Sequence, residues 1–142
     1  MNTVVRIAVL VLSVFWLAND AIAESRLVTP QVVAVTRIAM EACIDKLVTG
    51  QPLAGLEASG FSPRRNGYKA NVENPLIFAG DSTVRVVLER NGECVVETDP
   101  VVLAEVGTIQ SLLKETLASR GVNLNVRFLH SMGEAKTKVV FK

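Results

Sequence analysis

One histidine, two cysteines, one tryptophan and one tyrosine in 142 residues leave little of the equipment that most enzymatic chemistry uses. His130 is the only imidazole, and Cys43 and Cys94 are the only thiols, so a zinc cage would need carboxylates at a ligand spacing that is not present. A Ser-His-Asp arrangement would have to recruit His130 with Ser131 or another serine, without a G-x-S-x-G elbow to present the nucleophile. Neither a G-x-G-x-x-G sequence nor a P-loop offers a phosphate cradle. Glu89, Glu93 and Glu97 recur every four residues, but spacing alone does not make a glycosidase pair. No metal or cofactor is implied. A formal net charge of +1 gives no electrostatic footprint for nucleic acid or an anionic membrane. Internal repeats and low-complexity tracts are also lacking.

Apolar residues are what the chain has in quantity, at 49%. Their densest run, Ile7 to Ala18, is twelve residues long and preceded by a single charge, Arg6. Spanning a bilayer core takes about 20 apolar residues, so twelve do not make a transmembrane helix. Asn19 and Asp20 end the run, and Ala21-Ile22-Ala23 then supplies a small-x-small cleavage site before Glu24. A basic start, a short apolar core and an A-x-A site together make a secretory signal peptide. The expectation is cleavage after Ala23, leaving residues 24–142 as a single exported domain, periplasmic or secreted, with no stable membrane anchor. The only tryptophan, Trp16, leaves with the signal.

Export gives the two cysteines a meaning. In an oxidising compartment two thiols permit one intramolecular pairing, and no C-x-x-C suggests a redox couple. From Gln31 to about Thr49 the apolar residues follow a helical period, with Val32, Val35, Thr36, Ala39, Cys43 and Leu47 on one side. Arg37, Glu41 and Asp45 ride the opposite face, where Arg37 and Glu41 can pair and Glu41 and Asp45 repel. Pro30 and Gly50 punctuate the ends. Cys43 therefore faces the core.

Cys94 follows Asn91-Gly92, between the β-rich runs Thr83–Glu89 and Glu93–Thr98. A two-residue loop would split the apolar side chains between the two faces of the hairpin. A three-residue loop, Arg90-Asn91-Gly92, pairs Leu88 with Cys94 and Val86 with Val96, and sets Arg85 opposite Glu97. That register places Val84, Val86, Leu88, Cys94 and Val96 on one face and is the one expected. Cys94 then looks into the same core as Cys43, and a structural disulfide follows.

Asp99 as N-cap and Pro100 at the first helical position announce a second helix. Val102, Val106, Ile109, Leu113 and Leu117 form its apolar stripe, and Gly121 stops it. Asn123–Leu129 alternates as a strand, and Thr137–Phe141 is a terminal strand after a turn around Met132-Gly133. Phe61, Phe78, Phe128 and Phe141 read as core anchors. The order predicts an α+β fold in two layers, with two helices on one face of an antiparallel sheet of about four or five strands.

Gly55, Gly60, Pro63, Gly67 and Pro75 break the pattern between residues 50 and 80, apart from a short strand candidate at Tyr68–Val72. Here Arg64, Arg65, Tyr68 and Lys69 combine positive charge with the only tyrosine in a loop exposed by its composition. They are the candidate contact for a ligand or partner, because recognition often sits on loops held by a rigid scaffold. The functional expectation is an exported, disulfide-braced binding module without catalytic activity, recognising an envelope protein or a small ligand through this loop or an exposed strand edge. The alternatives are a small hydrolase using His130 with a serine or glutamate, and a structural subunit of an envelope assembly.

Overall fold

The structure is a computed structural model that describes residues 31–142 except Ala79. The expected signal peptide, its cleavage site after Ala23, and Pro30 lie outside the described residues. Helix α1 (Gln31–Thr49) is as predicted, and Gly50 follows it in the left-handed region at φ 69°, its N–H bonded to the Lys46 carbonyl. Val32, Thr36, Ala39 and Cys43 are buried as expected, but so are Val33, Met40 and Ile44. A single stripe was too narrow for a helix that packs on the sheet with one flank and on the second helix with the other. Arg37 and Glu41 pair at 3.1 Å, and Asp45 is taken by Arg120 of that second helix, which relieves its repulsion with Glu41.

A 3-10 segment, Leu53–Ser59, leads into the strands β1 (Ser62–Arg64), β2 (Gly67–Glu73), β3 (Asp81–Leu88) and β4 (Cys94–Asp99). Helix α2 (Leu103–Arg120) follows, and β5 (Val126–Ser131) and β6 (Lys136–Phe141) complete the order. All six strands form one antiparallel sheet in the order β1-β2-β3-β4-β6-β5. The fold is two-layer α+β, with one strand more than the upper expectation. The extra strand is β1, whose three residues include Pro63 and carry no alternation to betray them.

The β3–β4 hairpin has the expected register: Leu88 pairs with Cys94, Val86 with Val96 and Arg85 with Glu97. Glu89 and Glu93 close the three-residue loop by the Glu89 N–H on the Glu93 carbonyl at 2.9 Å, with Gly92 left-handed at φ 84°. Val84, Val86, Cys94 and Val96 are buried, whereas Leu88, at the end of the sheet, is 36% exposed. Cys43 and Cys94 are both fully buried and joined, bridging 51 residues from helix to sheet with their Cα atoms 5.6 Å apart.

The start of α2 differs from expectation. Asp99 is the last residue of β4, paired with Thr83, and its carboxylate lies 3.4 Å from Arg85. The chain passes through a cis Asp99–Pro100 bond, and the helix begins after Val102. There Glu105 reaches back to accept the Val102 N–H at 2.9 Å, satisfying one of the helix's orphan donors. An ion pair on the sheet thus displaces the cap that Asp99 would have made.

Between the layers lie Phe141, Met40, Ile44, Ile109, Val84, Val86, Val96 and Val139, with Phe61 beside them. Two hydroxyls sit within this core without a penalty. Thr36 donates to the Val32 carbonyl at 2.7 Å, so Thr98 must be the donor in the 3.0 Å contact between the two threonines.

Candidate functional site at the β1–β2 hairpin

The segment expected as an exposed loop is a tight β-hairpin. Arg65 and Asn66 turn between β1 and β2, with Ser62 opposite Lys69, Pro63 opposite Tyr68 and Arg64 opposite Gly67. Alternation along the strands separates the four candidate residues. Tyr68 pairs with Val86 on the face that looks toward the helices, half-buried against the core. Lys69 pairs with Arg85 on the other face, and Arg64 shares that face across from Gly67. Arg64 and Arg65 are exposed.

Gly67 shapes the site. A Cβ there would sit 1.8 Å from the Val86 carbonyl oxygen, so no other residue fits without moving β2 away from β3. That close approach of β2 to β3 borders a notch lined by Arg64, Arg65, Lys69 and Arg85 together with Gly67. A neighbouring cleft opens on the other side of the turn, between Arg65 and Asn66 and the β3–β4 loop with Glu89 and Arg90. The two clefts are fastened together by the Leu88 N–H on the Asn66 carbonyl at 2.8 Å.

Electrostatics set this corner apart from the middle of the same face. There Glu97, largely buried, holds Lys136 at 3.1 Å, Arg85 at 3.8 Å and Lys138 at 3.9 Å, and Glu93 holds Arg127 at 3.5 Å. Among the described residues, Arg64, Arg65, Lys69 and Arg90 have no carboxylate within 4.0 Å. The corner thus keeps an excess of positive charge, four unpaired cations against Glu89, beside a concave surface suited to a carboxylate or phosphate group.

His130 is placed differently. It borders a shallow cleft with Ser131, Glu97 and Glu134, but the register sets its side chain on the face opposite Glu97, and its Nδ1 donates to the Lys136 carbonyl at 3.0 Å. Ser131, its neighbour on β5, points to the opposite face of the sheet, and no hydrogen bond joins His130 to a hydroxyl or carboxylate among the described residues. Glu97 is engaged by three cations and Glu93 by Arg127, while Glu89, the third hairpin glutamate, makes no ion pair among the described residues and lines the cleft beside Arg65 and Arg90. Among the described residues no group of three or more His, Cys, Asp and Glu is arranged to hold a metal ion.

Composition gave no sign of a second surface. Phe78, expected in the core, is fully exposed, and Leu76, Leu103 and Met132 are exposed as well. These residues occupy the β2–β3 turn, the start of α2 and the β5–β6 turn, which topology brings to one end of the molecule. The backbone beneath them is firmly held. Asn74, buried, donates from Nδ2 to Ser82 Oγ and to Glu105 Oε1, both at 2.9 Å, and accepts the Leu76 N–H at 3.1 Å. Ser82 in turn donates to the Pro100 carbonyl at 2.6 Å. The signal in the sequence is Asn74-Pro75, a turn-initiating pair that places Phe78 in a turn and not in the core.

No family model, curated protein or solved structure matches this chain.

Proposed function

We propose that the chain is an exported, non-catalytic binding module that recognises an acidic group on a protein or small ligand through the β1–β2 hairpin. The observation that carries this reading is the excess positive charge of Arg64, Arg65, Lys69 and Arg90 around the Gly67 notch. Support for export comes from the tripartite N-terminal pattern ending at Ala23 and from the Cys43–Cys94 bridge, a bond that persists in oxidising compartments. The commitment of His130 and of Glu93 and Glu97 to structural contacts weighs against the hydrolase alternative.

The test is affinity capture from the envelope fraction with the native chain and with the triple variant R64A/R65A/K69A. Loss of a partner with the variant supports the reading, and unchanged capture counts against it. The exposed end formed by Leu76, Phe78, Leu103 and Met132 favours a second reading, a structural subunit that buries this apolar surface within an envelope assembly. Under that reading the captured partner survives the triple variant and is lost with L76S/F78S.

A further inference from the structure

The two edges of the sheet are not alike. At one edge β1 is only three residues long and contains Pro63, which has no N–H to offer, and such an edge resists strand addition. At the other, β5 is six residues, Val126–Ser131, with no proline. The ladder with β6 shows which of its backbone groups are free. Asn125 and Lys142 exchange both hydrogen bonds, at 3.1 and 2.9 Å, and in an antiparallel pair such residues alternate with pairs that exchange none. Arg127, Leu129 and Ser131 therefore point their backbone groups at β6. Val126, Phe128 and His130 point theirs outward, and among the described residues nothing pairs with them.

We infer that β5 pairs antiparallel with β5 of a second copy about a two-fold axis at Phe128, joining two sheets into one of twelve strands. The strand is complementary to itself in this register. Phe128 meets Phe128 of the other copy, Val126 meets His130, and all three outward-facing residues of each copy find a partner. On the opposite face Arg127 lies against Leu129, which is 49% exposed in the single chain. Sliding by two residues one way leaves fewer backbone groups paired and sets Arg127 against Arg127. Sliding the other way sets Leu129 against Leu129 but also leaves fewer backbone groups paired, so the count of paired backbone groups selects the register. A foreign strand would satisfy the same backbone groups, but nothing on β5 selects one. This inference is independent of the cationic hairpin, which lies at the far edge of the sheet.

Sedimentation velocity on the processed exported chain, from micromolar to submillimolar concentration, tests it with two substitutions of opposite sign. L129K sets a lysine against Arg127 of the other copy, twice per dimer, and weakens the dimer by about tenfold or more. L129E sets a carboxylate there and leaves the dimer as tight or tighter. Position 129 is exposed and its backbone bonds are unchanged, so circular dichroism should report both variants folded. R64A/R65A/K69A should remain dimeric, which separates this inference from the functional reading. A native chain that is monomeric throughout overturns the inference, as does a dimer that L129K and L129E affect equally.

Discussion

Asn74 and Glu105, thirty-one residues apart in the chain, meet at 2.9 Å in a site closed to solvent. Through this bond the β2–β3 turn is tied to the first turn of α2, and Ser82 and the Val102 N–H complete the cluster. Replacing Asn74 by alanine leaves a buried carboxylate and a buried hydroxyl each short of a donor. The expected loss is about 2–3 kcal/mol, measured as a shift in the urea midpoint at constant m value. A shift below about 0.5 kcal/mol, as at a surface site, would mean the cluster does not fix the turn.

The disulfide closes a loop of 51 residues between a helix and a central strand. Titration of the unfolded, unreduced protein should find no free thiol. The double variant C43A/C94A should lose on the order of 4 kcal/mol relative to the oxidised chain in the chain-entropy account. Denaturant unfolding of the two forms checks the size of the effect.

Two glycines should respond to alanine with opposite signs. At Gly67 the new methyl would sit 1.8 Å from the Val86 carbonyl oxygen, so G67A should separate β2 from β3 and destabilise strongly. At Gly107, exposed within α2, an added Cβ meets nothing within 4 Å, and alanine should stabilise by about 1 kcal/mol through helix propensity. Thermal melts of the pair make the comparison.

Phenylalanines should divide in the same way. F78S should leave stability within about 0.5 kcal/mol of the native chain, because the ring is fully exposed. F141A removes a completely buried ring from the middle of the core and should cost about 3–5 kcal/mol.

Much of this architecture was legible in the residues because local and global signals agreed. Leu88 could be paired with Cys94 before any coordinates because only one loop length put the apolar side chains on one face. The same logic set Val126 and Phe128 opposite Arg127. It failed where a tertiary contact outbid a local preference. Asp99 is a good N-cap, but Arg85 on the adjoining strand takes its carboxylate. Glu105 has the look of an ordinary acidic residue in a first helical turn, and nothing in its neighbours announces Asn74 thirty-one positions earlier. Charge marks the candidate site in the sequence but does not give its shape. Arg64, Arg65 and Lys69 gather at the sheet's outer face, while Tyr68 turns inward because a strand alternates and a loop need not.

Recognition of an acidic partner by the positive charge at the β1–β2 hairpin is the function proposed for this chain. It is tested most directly by capture from the envelope fraction with the native chain and with R64E/R65E/K69E, quantified side by side. The expected result is a partner that the native chain retains at low salt, that rising salt releases, and that the reversed-charge variant fails to retain at any ionic strength. The same partners in the same amounts on both chains would contradict it.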